Sequence, residues 1–213
     1  MILEYFTKQK NALVLLFSIV YLLVFTLNAI FAQNYEFLYY TVLIAVLIYI
    51  VLVINQRMHF APFIVINLSL LGFLHLLGGN AYISTIRLYD FYFVPGLVKY
   101  DNLIHVYGTF IVTLLLYSMV SVYLDRQVIS QRYWVIAVGL VLMAIGVGAV
   151  NELVEFFAVV YFGAAEQVGG YFNNSLDLLF NTLGSILACV ILYWFREQTS
   201  WLHNLNGNLK KNS

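Results

Sequence analysis

Charge is what this chain has least of. Ten basic and ten acidic residues among 213, 9% in all, leave too little polar surface to coat a water-soluble globule. Their even balance provides neither the basic face that nucleic acid needs nor an acidic tail for a cationic partner. Cysteine is nearly absent: the single Cys189 excludes an intrachain disulfide and any cysteine-based metal motif. No internal repeat, low-complexity stretch or linker interrupts the chain, so it reads as one domain, 1–213. The paired broken helices of an inverted-repeat transporter are also missing.

Apolar sequence fills the remainder, with 63% hydrophobic residues and a mean hydropathy of +0.89. Six runs reach membrane-spanning length, at 12–32, 37–54, 60–78, 103–124, 133–161 and 176–195. They predict an all-α polytopic protein of the cell (inner) membrane, with the lipid bilayer as its first partner. The first run is preceded by Lys8 and Lys10 and followed by Ala32, as in a secretory signal. It is too long for one, and Ile30 suits the cleavage site poorly, so a retained helix is expected.

Basic residues set the expected orientation. With the N-terminus inside, the inner segments hold Lys8, Lys10, Arg57, Arg126, Arg132, Arg196, Lys210 and Lys211, and the outer ones only Arg87 and Lys99. Eight against two favours both termini in the cytoplasm. The one long connection, 79–102, is rich in Tyr and Phe and predicts an outer loop lying in the interface, partly re-entrant.

Polar residues inside the spans then gather toward the outer leaflet. His75 lies near the end of span three, Asp101 and His105 open span four, Asn151, Glu152 and Glu155 sit in span five, and Asp177 and Asn181 begin span six. Helical spacing places Asp177, Asn181, Gly184, Ser185 and Ala188 on one stripe, and Ala144, Gly148, Glu152 and Glu155 on another. Small residues below the polar ones allow close helix approach. Spans three to six are therefore expected to form a bundle around an outward-facing polar cavity, with the first two spans as scaffold. Asp101 and Asp177 also read as water-exposed helix caps, and His75 and His105 as core histidines bonded to a carbonyl. Glu152 and Glu155 resist a bland reading, since an ionised group at helix centre costs about 3 kcal/mol on insertion.

The segments "HLLGGNAY", "YDNLIH", "NELVEF" and "NNSLDLLFNTLGS", in this order, resemble the motifs of the YjdF-like family of small bacterial inner-membrane proteins. That family is similar in turn to the VanZ-like proteins, some associated with glycopeptide-antibiotic resistance. The resemblance spans roughly His75 to Ser185. It implies His75, Asp101, His105, Glu152, Glu155 and Asp177 as the family's polar positions, with Asn173 standing where relatives carry an acid. It carries no activity to transfer.

Two functional classes fit these residues, beside a third in which the polar core only fixes helix packing. In one, Glu152, Glu155, Asp101 and His105 are catalytic, acting on a lipid or cell-envelope intermediate by acid/base or metal-assisted chemistry. In the other, the same groups carry protons or cations in a small transporter. The enzyme-like reading is favoured because no acid or histidine ladder continues to the inner face. Four carboxylates at close range must bind protons, recruit Arg87 and Lys99, or hold a cation. The expected ion is divalent Zn, Mn or Fe, on His105, Glu152, Glu155 and Asp177, with His75 and Asp101 behind them or completing the set.

Overall fold

The computed structural model describes residues 2–195; the basic residues Arg196, Lys210 and Lys211 lie outside them. Three helices open the chain, α1 (Ile2–Phe31), α2 (Tyr35–Met58) and α3 (Pro62–Asn80). A folded excursion follows, made of β1 (Tyr82–Ile83), β2 (Ile86–Arg87), a 3-10 turn (Leu88–Asp90), β3 (Tyr92–Val94) and β4 (Val98–Lys99). Then come α4 (Tyr100–Val120), the short α5 (Arg126–Gln131), α6 (Tyr133–Phe162), a single turn α7 (Ala165–Val168) and α8 (Tyr171–Phe195). Six of these helices are long and apolar enough to cross a bilayer.

Local chemistry sets the helix ends. Asn34 caps α2, its side chain accepting from the Phe37 N–H at 3.1 Å. Pro62 starts α3, where a missing N–H leaves no bond unmade. The Asn102 side chain accepts the Lys99 N–H at 3.0 Å and so fixes the entry to α4. The sixth span begins at Tyr171, earlier than the expected 176, because Asn173 and Asn174 join the helix instead of preceding it.

Helix α8 lies along α4 and also packs on α6, while α3 closes the other side of α4. Their seam is close: a Cβ on Gly184 would stand 2.2 Å from the Val106 carbonyl oxygen and 2.4 Å from Thr109 Oγ1. No side chain fits there. The lower half of the bundle is an apolar core of Ile64, Ile111, Leu114, Leu140, Ala188 and Leu192. Helices α1 and α2 pack against α3, tied by a buried Ser18–Ser69 hydroxyl contact of 2.6 Å.

The long connection carries short strands around one 3-10 turn. It forms two antiparallel hairpins, pairing Tyr82 with Arg87 and Tyr92 with Lys99. Tyr92, Phe93, Val94 and Leu97 stay exposed on it, an apolar surface suited to the membrane interface.

Candidate metal centre

The centre forms where the polar stripes of α4, α6 and α8 meet below the hairpins. His105, one turn into α4, is its hub. Two groups of side chains share it: Asp101, His105 and Asp177, and His105, Glu152 and Glu155. Within each group the potential ligand atoms lie no more than 4.8 Å apart. The expected four-ligand set of His105, Glu152, Glu155 and Asp177 is thus divided between two overlapping triads.

The aspartate triad is already well supplied with partners. His105 Nε2 stands 3.5 Å from Asp101 Oδ1 and 3.6 Å from Asp177 Oδ1, charge-pairing distances too long for hydrogen bonds. Lys99 Nζ lies 2.9 Å from Asp101 Oδ2 and also donates to Asn173 Oδ1. Asp177 is fully buried, accepting from Asn102 Nδ2 at 3.3 Å and Asn173 Nδ2 at 2.6 Å. Asn173, which lacks the expected acid, therefore serves as a bridge between Lys99 and Asp177. Burial works against the Lys99 ammonium, but the Asp101 carboxylate outweighs it and holds the Lys99 pKa above the usual lysine value.

The glutamate triad is poor in partners. Asn151 Nδ2 donates to Glu155 Oε1 at 2.8 Å. The Glu152 side chain is buried, and among the described residues neither of its carboxylate oxygens has a hydrogen-bond partner. A buried carboxylate without a donor is among the least favourable groups in any protein interior. Nδ1 of His105 is held at 3.1 Å from Asn181 Oδ1, so with Nδ1 as donor the ligand nitrogen of the ring is Nε2, which also faces Asp101 and Asp177. Gly148 makes this possible, because a Cβ there would lie 2.5 Å from Asn181 Nδ2.

Asp101 and Asp177 are not water-exposed caps: both are buried, and Asp177 lies almost two turns inside α8. His75 is set apart. Its Nδ1 meets the Tyr89 hydroxyl at 2.5 Å, and its ring packs edge-on against Tyr40 and Tyr89, so it joins neither triad. Burial raises the Tyr89 pKa well above the ordinary tyrosine value, leaving its hydroxyl as the donor to His75. Arg87 does not reach the centre either; it pairs with Asp90 at 2.9 Å and lies over the Tyr89 ring. Helix α2 is more than scaffold, since Tyr40 touches His75 and the Tyr39 hydroxyl approaches the Val154 carbonyl at 3.5 Å.

Six apolar spans around a buried histidine and carboxylate cluster define a multi-pass membrane protein with a polar centre. The chain belongs to the DUF2238 family of predicted membrane proteins, whose model matches residues 13–198. No curated protein and no solved structure matches it.

Proposed function

We propose that the protein holds one divalent metal ion, Zn, Mn or Fe, at His105, Glu152 and Glu155, and uses it on a lipid or cell-envelope intermediate at the outer face of the cell membrane. The observation that carries this reading is Glu152, a buried carboxylate with both oxygens unpartnered beside a histidine and a second glutamate. The aspartate triad already has the Lys99 ammonium, so the glutamate triad is where positive charge is missing. A tetrahedron with bonds of about 2.1 Å has edges of about 3.4 Å, so side-chain adjustments of about 1 Å close the triad on an ion. Imidazole with carboxylates suits Zn, Mn and Fe better than Ca.

Such an ion acts as a Lewis acid on a phosphoryl or acyl oxygen. Asn181 would keep His105 oriented through Nδ1, on the side of the ring away from Nε2, and Glu155 would complete the ligand set. The excess of basic residues on the other face supports an outward site with both termini cytoplasmic. The motif resemblance to the YjdF-like and VanZ-like groups agrees with a role in the envelope. Transport is disfavoured below the centre, where Thr109 and Thr113 bond to carbonyls of their own helix and the surrounding core is apolar.

Metal analysis of protein purified without chelators tests the proposal. One equivalent is expected in the wild type and far less in Glu152→Gln and Glu155→Gln. Metal-free protein whose thermal stability does not respond to added Zn, Mn or Fe would leave protons as the only compensation and end the reading.

A further inference from the structure

A second site opens apart from the centre. On the hairpin side, a cleft of about 780 Å³ lies between the α1–α2 turn, the β1–β2 hairpin and the end of α6, with Tyr35, Glu36, Tyr82, Arg87, Asp90 and Tyr161 in its wall. No member of either triad lines it. We infer that this cleft binds an organic ammonium group, supplied by the headgroup of a phosphoethanolamine-class lipid. The inference takes from the functional reading that a lipid is served at this face, and it does not depend on the metal.

Charge is the first argument. Arg87 and Asp90 pair at 2.9 Å and offset each other, which leaves the wall formed by these three groups with the formal negative charge of Glu36. Aromatic surface is the second. Tyr35, Tyr82 and Tyr161 line the same cleft while remaining 63%, 61% and 72% exposed, so ring surface around the carboxylate is open to a ligand. A carboxylate among tyrosine rings matches an ammonium group by charge and by cation–π attraction. The volume lies within the range of small-ligand sites.

Level is the third argument. Tyr35 and Glu36 open α2, and Tyr161 and Phe162 close α6, so the cleft sits at the ends of two spans, where lipid headgroups lie. It also borders the tyrosine pocket of His75. Arg87, in the cleft, lies 5.8 Å over the Tyr89 ring, and the Tyr89 hydroxyl bonds His75. Tyr40, one turn along α2 from Glu36, packs on the same imidazole with ring centroids 5.4 Å apart. A headgroup held there is anchored beside His75 and its two tyrosines.

Native mass spectrometry of the full chain, given equal amounts of phosphatidylethanolamine and phosphatidylglycerol, tests the inference. The wild type is expected to retain the ethanolamine lipid about fivefold over the glycerol lipid, the factor of one exposed cation–π contact. Glu36→Gln and Tyr161→Ala should bring that ratio to about one, Tyr161→Ala serving if the first variant does not fold. Glu152→Gln should leave it unchanged, which separates this site from the metal. Equal retention with saturable binding of free ethanolamine, lost in Glu36→Gln, would assign the same ammonium site to a soluble amine. Equal retention without ethanolamine binding, or a preference that survives both cleft variants, overturns the inference and makes the tyrosines an interfacial belt.

Discussion

Replacing Gly184 with alanine is the sharpest mechanical test of the centre. The added Cβ would stand 2.2 Å from the Val106 carbonyl oxygen, and an ordinary carbon–oxygen contact is about 3.3 Å. The obstacle is main chain, so α8 must move off α4 by about 1 Å; no side chain can turn aside. Overpacking of this kind costs about 1 to 3 kcal/mol, and a backbone obstacle places it near the upper figure. The same displacement acts on the centre, because Asp177 and Asn181 lie two turns and one turn from Gly184 on the same stripe. The 3.6 Å between His105 and Asp177 and the 3.1 Å between His105 and Asn181 both lengthen, whereas metal sites tolerate only about 0.2 Å. Thermal unfolding in detergent and metal content per chain are the two readouts. Gly146→Ala is the control, having nothing within 4 Å of its added Cβ. If Gly184→Ala matched Gly146→Ala in both measurements, the claim that a tight α4–α8 seam positions the centre would be wrong.

Three other outcomes are expected. Glu152→Leu should stabilise metal-free protein by about 1 to 3 kcal/mol in thermal or denaturant unfolding, since it removes a buried unpartnered carboxylate, and should lose that advantage against metal-loaded wild type. Asn181→Leu removes the partner that fixes His105 Nδ1, so metal affinity by titration should fall about 10- to 100-fold with the fold intact by circular dichroism. Gly96 sits at the tip of the second hairpin with open space around it, so an epitope inserted there should be tolerated and should react in spheroplasts with an unbroken inner membrane, while a C-terminal tag should not; the reverse pattern would invert the proposed orientation.

Long apolar runs made the six spans legible, and helical spacing placed Glu152, Glu155, His105 and Asp177 toward one interior. What escaped was everything that depends on the excursion between α3 and α4. Strands of two or three residues have no alternation to read, so the hairpins looked like an interfacial loop. Without them Tyr89 has no address in the sequence, and helical position alone sets His75 level with the acids. Lys99 and Arg87 were indistinguishable as outer cations. Only the start of α4 at Tyr100 turns Lys99 onto Asp101, and only the short turn after β2 gives Arg87 to Asp90. Glu36 and Tyr40 carry no signal in the sequence, because a glutamate at a helix start and a tyrosine in an apolar run are ordinary features of a span.

Two hydrogen bonds of the centre join residues far apart in the chain: Asn102 to Asp177, 75 positions later, and His105 to Asn181, 76 positions later. During synthesis α4 is therefore made before α8 exists, carrying Asn102 and His105 without their α8 partners. Groups that are costly to bury alone keep that end of α4 near water until the last span arrives and satisfies them. The centre thus closes as the final event of assembly, and a chain that stops short of α8 is left with open polar groups in a membrane, the kind of defect by which a cell recognises an unfinished protein.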